Sequence, residues 1–282
     1  MRGRADSIEL LSPSSVEKAL GLYNRNPHAL PLAGGTDLLV AWNAGLLNGK
    51  TVLDLSRLPW TRIEAAGKGL RIGSLATQTQ LRSHAAVRKR YLLLAAACGT
   101  VGSVQIQNRG TLGGSIANAS PAGDVFPALA VYEAVVRTAS TDGYRELPFL
   151  DVFAGVKKTF LAPAELIESV ALPALRQPTR QIFRKVGTRA AQAVSRVTAA
   201  GLLWLGPGKR VIELRFALGC MAPTVVRLHK VEAFMQGKPL TERNIEEAVG
   251  LLDEDVSPID DFRATREYRL WVSRNILRSL LR

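Results

Sequence analysis

Gly110-Thr111-Leu112-Gly113-Gly114-Ser115-Ile116-Ala117-Asn118-Ala119-Ser120-Pro121-Ala122-Gly123-Asp124 is the stretch on which the reading of this chain turns. Small residues fill nearly every position, and a run so poor in side-chain bulk lets something large and flat lie against the backbone. A shorter companion lies upstream, Pro31-Leu32-Ala33-Gly34-Gly35-Thr36-Asp37-Leu38. Its adjacent glycines permit positive φ and remove side chains, so successive backbone N–H groups can point into one hollow. The helix that follows adds its partial positive end. Such a nest suits a pyrophosphate, and Thr36 can supply a hydroxyl. Each loop also has a plain structural reading. The first is then a tight turn with Thr36 or Asp37 as a helix cap, and Asp124 of the second compensates the dipole of a helix opened by Ser120-Pro121. Neither loop is the G-x-G-x-x-G of a Rossmann fold or the G-x-x-x-x-G-K-[ST] of a P-loop, so kinase and nucleotide-hydrolase readings lose their support.

Outward from these loops the chain alternates helix and strand signals. Ser14-Ser15-Val16-Glu17 reads as a capping box, and Val16, Ala19, Leu20 and Tyr23 recur at helical spacing up to Asn26-Pro27. Residues 29–33 form a short apolar strand, and residues 38–47 an almost wholly apolar, buried helix. Further strands are expected at 51–55 and in a hairpin of 63–66 with 70–74 around Gly67-Lys68-Gly69. A helical region starts at Thr77 and runs on through 85–97; residues 101–107 look extended. Residues 135–139 and 165–171 complete a mixed region, and a boundary falls where prolines cluster at 173–178, dividing the chain into 1–175 and 176–282. Beyond it, 194–204 and 211–218 read as a hairpin, with Ile212, Leu214, Phe216 and Leu218 on one buried face, and 225–229 as a third strand. The remainder is helical, with Trp271, Val272, Ile276 and Leu280 as an apolar stripe and Arg274 and Arg278 solvated.

Composition narrows the function classes. Hydrophobic residues make up 47% of the 282 and charged residues 22%, which is ordinary for a folded globular protein. Apolar runs such as 92–97 and 198–205 are far shorter than the ~20 residues of a membrane span. No signal-peptide pattern follows Arg2 and Arg4, so a cytoplasmic location is expected. The two cysteines, Cys98 and Cys220, lack metal-ligand spacing and read as buried thiols, and the three histidines are scattered, so no metal site is expected. A net charge of +13 suggests nucleic acid at first sight, but no nucleic-acid motif accompanies it. A basic face toward acidic partner subunits or a dinucleotide accounts for the charge equally well.

With both loops quoted, a family likeness is visible. Ala-Gly-Gly-Thr-Asp at 33–37 followed by Thr-Leu-Gly-Gly-Ser-Ile-Ala-Asn-Ala-Ser-Pro-Ala-Gly-Asp at 111–124 resembles the paired FAD signature of the medium, flavin-binding subunit of molybdenum hydroxylases. That group includes xanthine and carbon monoxide dehydrogenases and nicotinate-, aldehyde- and isoquinoline-type oxidoreductases. Phe183-Arg184-Lys185-Val186-Gly187-Thr188-Arg189 with Gln192-Ala193-Val194-Ser195, and the late stretch from Asp261 to Arg269, resemble the family's C-terminal domain, so the likeness spans nearly the whole chain.

The resemblance implies an α+β fold: a vanillyl-alcohol-oxidase-like (PCMH-type) FAD-binding domain of two α/β subdomains, then a small domain with a three-stranded antiparallel sheet and a helical bundle. It implies that Pro31, Leu32, Ala33, Gly34, Gly35, Thr36, Asp37 and Leu38, with Thr111, Leu112, Gly113, Gly114 and Ser115, wrap the diphosphate and ribityl parts of FAD. It implies further that Asp124 holds a polar group of the cofactor and that Val101, Gly102, Leu161 and Lys185 touch it. Ser115 stands where many relatives have asparagine, and the cysteine-bearing insertion of the benzoyl-CoA reductase branch is missing. The implied partners are a molybdenum-pterin large subunit and a small subunit with 2Fe-2S clusters, with NAD or another acceptor taking the electrons. No catalytic acid, base or nucleophile is then required of this chain. Two other readings stay open at this point: a self-contained flavin oxidase of the vanillyl-alcohol type, and a flavin-free scaffold subunit.

Overall fold

A computed structural model describes Gly3 and residues 7–282; the expectation resting on Arg2 and Arg4 lies outside the described residues. Three sheets organise the molecule. The first has three parallel strands in the order Glu9–Leu11, Thr51–Asp54, Leu30–Leu32. Helix Val16–Arg25 packs its Ala19 and Leu20 against this sheet around Leu53; its cap is the Ser15 hydroxyl accepting from Lys18 N, one residue later than the expected box of Ser14 with Glu17, which does not form because a lysine stands at the third helical position. The second sheet is antiparallel, in the order Ile63–Ala66, Gly69–Gly73, Leu166–Leu172, Val135–Ser140, Gly143–Pro148. Helices between Gln78 and Val131 cover one of its faces, and their core includes the edge-to-face pair Tyr91 and Tyr132.

The third sheet is antiparallel, in the order Arg180–Val186, Val197–Leu205, Val211–Gly219, Val226–Arg227; the last three are the strands expected, the third of them only two residues long, and Arg180–Val186 is a fourth that the pattern did not announce. Its central strand is buried on both faces. Ala200, Leu202 and Trp204 point into the core of the second sheet, while Val197, Ala199 and Leu203 point toward helices His229–Met235, Glu242–Leu251 and Arg266–Leu281. Side chains alternate across a strand, so one strand serves two cores. Among the described residues no helix is long and apolar enough to cross a membrane.

Several local expectations are corrected. Residues 101–107 are not extended: Gly102 turns the chain at φ 48°, Ser103 caps Ile106 N, and a helix runs Val104–Arg109. The β-branched valines here lose to the cap. Ser120-Pro121 does not open a helix; the Ser120 hydroxyl accepts from Ala122 N in a turn, and the helix begins only at Phe126 with proline in its first turn. The apolar helix after the first loop is short and not buried: Leu38–Asn43 ends ahead of Gly45, whose φ is 83°, and leaves Leu39 and Val40 exposed. Ile212 and Trp271 are likewise on the surface, whereas Leu270, Leu277 and Leu281 join the C-terminal core. Arg274 and Arg278 are not simply solvated; they pair with Asp253 and Glu246. Cys98 is buried, but Cys220 is only half-buried, with burial chiefly pushing its thiol up to about 11.

Candidate functional site

The two glycine loops meet. A Cβ on Gly34 would lie 1.9 Å from Arg109 O and 3.1 Å from Gly110 Cα, so the first loop closes directly onto the backbone that leads into the second. Only glycine permits that approach. Gly35 follows in the left-handed region at φ 75°, and helix Leu38–Asn43 starts with Leu39 N donating to Gly35 O at 2.9 Å. The backbone N–H groups of Gly34, Gly35, Thr36 and Asp37 find no protein acceptor among the described residues. The Asp37 side chain, at the N-cap, makes no capping bond. The plain turn-and-cap reading of this loop therefore leaves its backbone donors unexplained.

The second loop is different in kind. Its paired glycines, Gly113 and Gly114, are not in a turn but inside a helix, Leu112–Asn118, whose cap is the Thr111 hydroxyl accepting from Gly114 N at 3.1 Å. Leu112 N is bonded to Ala76 O, Gly113 N to Ser74 O and Ser115 N to Thr111 O. The amides of Gly113 and Gly114 are thus taken up by Ser74 O and the Thr111 hydroxyl, whereas those of Gly34 and Gly35 are left free among the described residues. What the second loop supplies is a smooth wall. Gly113 allows that helix to lie on Ser74, where a Cβ would meet Ser74 Cβ at 2.5 Å.

Between the loops lies a hollow of about 400 Å³ lined by residues 30–38 with Thr111, Gly114, Ser115, Ala117 and Asn118. It adjoins a second of about 290 Å³ that shares Pro31, Ala33, Gly114 and Ala117 and extends past Tyr23, Gly113, Leu161 and Glu165. Together they form a groove within the size range of small-molecule sites. Uncommitted N–H donors and a smooth wall lining one hollow suit a bridging diphosphate, so the residues present fit FAD. Ser115 has no hydroxyl proton to offer a ligand, because its hydroxyl donates to Thr111 O while accepting from Gln78 Nε2. Leu112 is fully buried in the core.

In the second hollow the carboxylate of Glu165 accepts from Ala162 N at 2.7 Å, from Arg145 Nε and Nη2 at 2.5 and 2.6 Å, and from the Thr138 hydroxyl. Burial raises its pKa, but these hydrogen bonds outweigh that and hold it below the usual carboxylate range.

Val101, Gly102, Asp124 and Lys185 gather elsewhere and line neither hollow. Lys185 Nζ donates to Asp124 Oδ2 at 2.6 Å and to Thr100 O at 2.8 Å, while the Ser195 hydroxyl donates to Asp124 Oδ1 at 2.6 Å. Both carboxylate oxygens of Asp124 are thereby occupied, and Lys185 is no solvated charge. Burial pushes the Asp124 carboxyl up, with Lys185 and Ser195 opposing. Ser195, Tyr23, Ala117, Asn118, Glu165 and Lys157 are residues the sequence did not single out for the site. Ala117 and Asn118 sit three and four positions beyond Gly114, a helical spacing that reveals them only once the loop is known to be a helix.

An α+β body with a nest of free backbone donors opening on a long groove defines a dinucleotide-cofactor protein. Residues 6–175 match the family model of the FAD-binding domain in molybdopterin dehydrogenase, and residues 182–282 that of the CO dehydrogenase flavoprotein C-terminal domain. The chain is 30% identical over 273 residues to the xanthine dehydrogenase FAD-binding subunit of Escherichia coli, covering 95% of this chain and 92% of that one. It is 28% identical over 257 residues to the glyceraldehyde dehydrogenase medium chain of Sulfolobus acidocaldarius, covering 90% of each. A carbon monoxide dehydrogenase chain from Hydrogenophaga pseudoflava superposes with a TM-score of 0.91 at 27% identity, over 97% of this chain and 96% of that one. The chain belongs to the FAD-binding medium subunits of the molybdenum hydroxylases, the xanthine and carbon monoxide dehydrogenase family, and FAD is its cofactor.

Proposed function

We propose that this chain holds one FAD as the electron-collecting subunit of a molybdenum hydroxylase complex. FAD, when bound, takes electrons one at a time from 2Fe-2S clusters of a small partner subunit and releases them in pairs to NAD or another acceptor. A molybdenum-pterin large subunit carries out the hydroxylation, and the complex works in the cytoplasm. The observation that carries this reading is the set of uncommitted N–H groups at residues 34–37, all of which line the groove.

The chain's own residues bind and orient. Residues 31–38 surround the diphosphate, while Thr111, Gly114 and Ser115 present the flat wall along which the ribityl chain runs; Leu112 acts only by anchoring that wall. Gly113 and Leu161 border the second hollow. Val101, Gly102, Asp124 and Lys185 form a further contact region, in which Asp124 acts through Lys185 because its own oxygens are engaged. The division into 1–175 and 176–282 assigns the groove to the first domain and the Lys185 side of this region to the second. Purification of the complex from its native host tests the reading. Co-purifying molybdenum, iron and released FAD are expected. A colourless chain that neither carries nor takes up FAD and associates with no molybdenum or iron protein overturns it.

A further inference from the structure

The groove has a charge problem that its lining does not solve. A dinucleotide brings two negative charges on its phosphates, the donors of residues 34–37 are neutral N–H groups, and the lining of the larger hollow contains Asp37 but no lysine or arginine. A cation must come from outside that lining. The structure holds one in place: Lys157 Nζ lies 3.5 Å from Asp37 Oδ1 and donates to Asn118 Oδ1 at 2.5 Å, so its ammonium spans the mouth of the groove between the two loops.

That position is imposed by the backbone. Lys157 stands at the tip of a hairpin formed by Phe153–Gly155 and Lys158–Thr159, in the left-handed region at φ 57°. Its N–H donates to Ala119 O at 3.0 Å, directly after the wall helix. Thr159 and Leu161, just beyond the tip, line the second hollow. The tip of the hairpin is therefore tied to the groove wall, its second strand leads into the lining of the adjoining hollow, and the Lys157 side chain reaches across the opening.

The ion pair with Asp37 is loose and open to solvent, with side chains 49% and 70% exposed. Such a pair contributes little to folding, so giving it up costs the protein little. A bridging diphosphate, with one negative charge on each phosphate, is the stronger partner for the same ammonium. We propose that Lys157 is a diphosphate-binding residue: its ammonium leaves Asp37 for the phosphate oxygens when the dinucleotide is seated, and the 153–159 hairpin thereby fastens the cofactor. The inference rests on the FAD reading above and adds to it a residue and an antagonist, Asp37, whose carboxylate competes for the same cation and repels the same phosphates.

The test is titration of the full-length chain, stripped of flavin, with FAD, with ADP and with riboflavin, which lacks phosphate. Lys157→Met is expected to weaken FAD and ADP by about tenfold or more, the scale of a charge-assisted hydrogen bond, and to leave riboflavin unchanged. Lys157→Arg keeps the charge and is expected to stay within about threefold of the wild-type chain. Asp37→Asn is expected to tighten FAD and ADP. Equal FAD affinity of Lys157→Met and wild type overturns the inference while leaving the flavoprotein reading intact. A parallel loss of FAD and riboflavin also overturns it, since that pattern marks a structural role. A wild-type chain that binds no FAD removes both.

Discussion

A single missing methyl group at position 34 lets two segments 75 residues apart share one groove, because any Cβ there would sit inside Arg109 O. The glycines were visible in the sequence, but not what each is for. Gly34 and Gly113 answer to the protein's own backbone and side chains, while the amide donors of residues 34–37 remain free for a ligand. Glu165 shows the same economy of polar groups. Its folded pKa is depressed, so its ionised form contributes stability that is fully present above the unfolded value of about 4.3 and is lost as pH falls through the folded value. The stability difference between wild type and Glu165→Gln is therefore expected to be largest near neutral pH and to shrink below about pH 4. Denaturant melts of both chains across that range check it; a difference that does not change with pH would remove the ion cluster from the account.

Elements with strong periodicity were legible: the capped first helix, the hairpin of Ile63–Ala66 with Gly69–Gly73, and the long antiparallel pair of the third sheet all lie where their patterns place them. The failures have physical causes. Helix Val104–Arg109 hides behind β-branched residues, and the wall helix Leu112–Asn118 behind glycines, because each depends on one hydroxyl cap that a propensity reading undervalues. The hairpin that carries Lys157 gave no signal at all, since its shape depends on residues held at positive φ. The link between strand Arg180–Val186 and the turn before Phe126 was legible only as two unrelated charges, Lys185 and Asp124, which meet across 61 residues. Lys185→Met strands a buried carboxylate, and a loss of about 3–5 kcal/mol is expected, with Lys185→Met/Asp124→Asn milder than the single change. Chemical denaturation of both variants decides this; a cost below about 1 kcal/mol would mean the pair is solvated in solution.

At the scale of the molecule, the third sheet ties the two sequence regions into one body, because Ala200, Leu202, Trp204 and Ala217 complete the core built by the helices of residues 78–131. Residues 1–175 on their own are expected to expose that core, bind a hydrophobic dye and melt without a cooperative transition. A sharp melt and native-like dye response would show that the first region needs no such cover. FAD sits on this body, and the central claim is that the amides of Gly34, Gly35, Thr36 and Asp37 receive its diphosphate. Site-resolved hydrogen exchange of the full chain with and without FAD addresses that claim most directly. Those four amides are expected to exchange fast in the free chain and to slow markedly when FAD is added, while the amides of Leu112 to Ser115, already bonded to protein acceptors, are protected in both states. Unchanged exchange at residues 34–37 in a chain saturated with FAD would contradict the account.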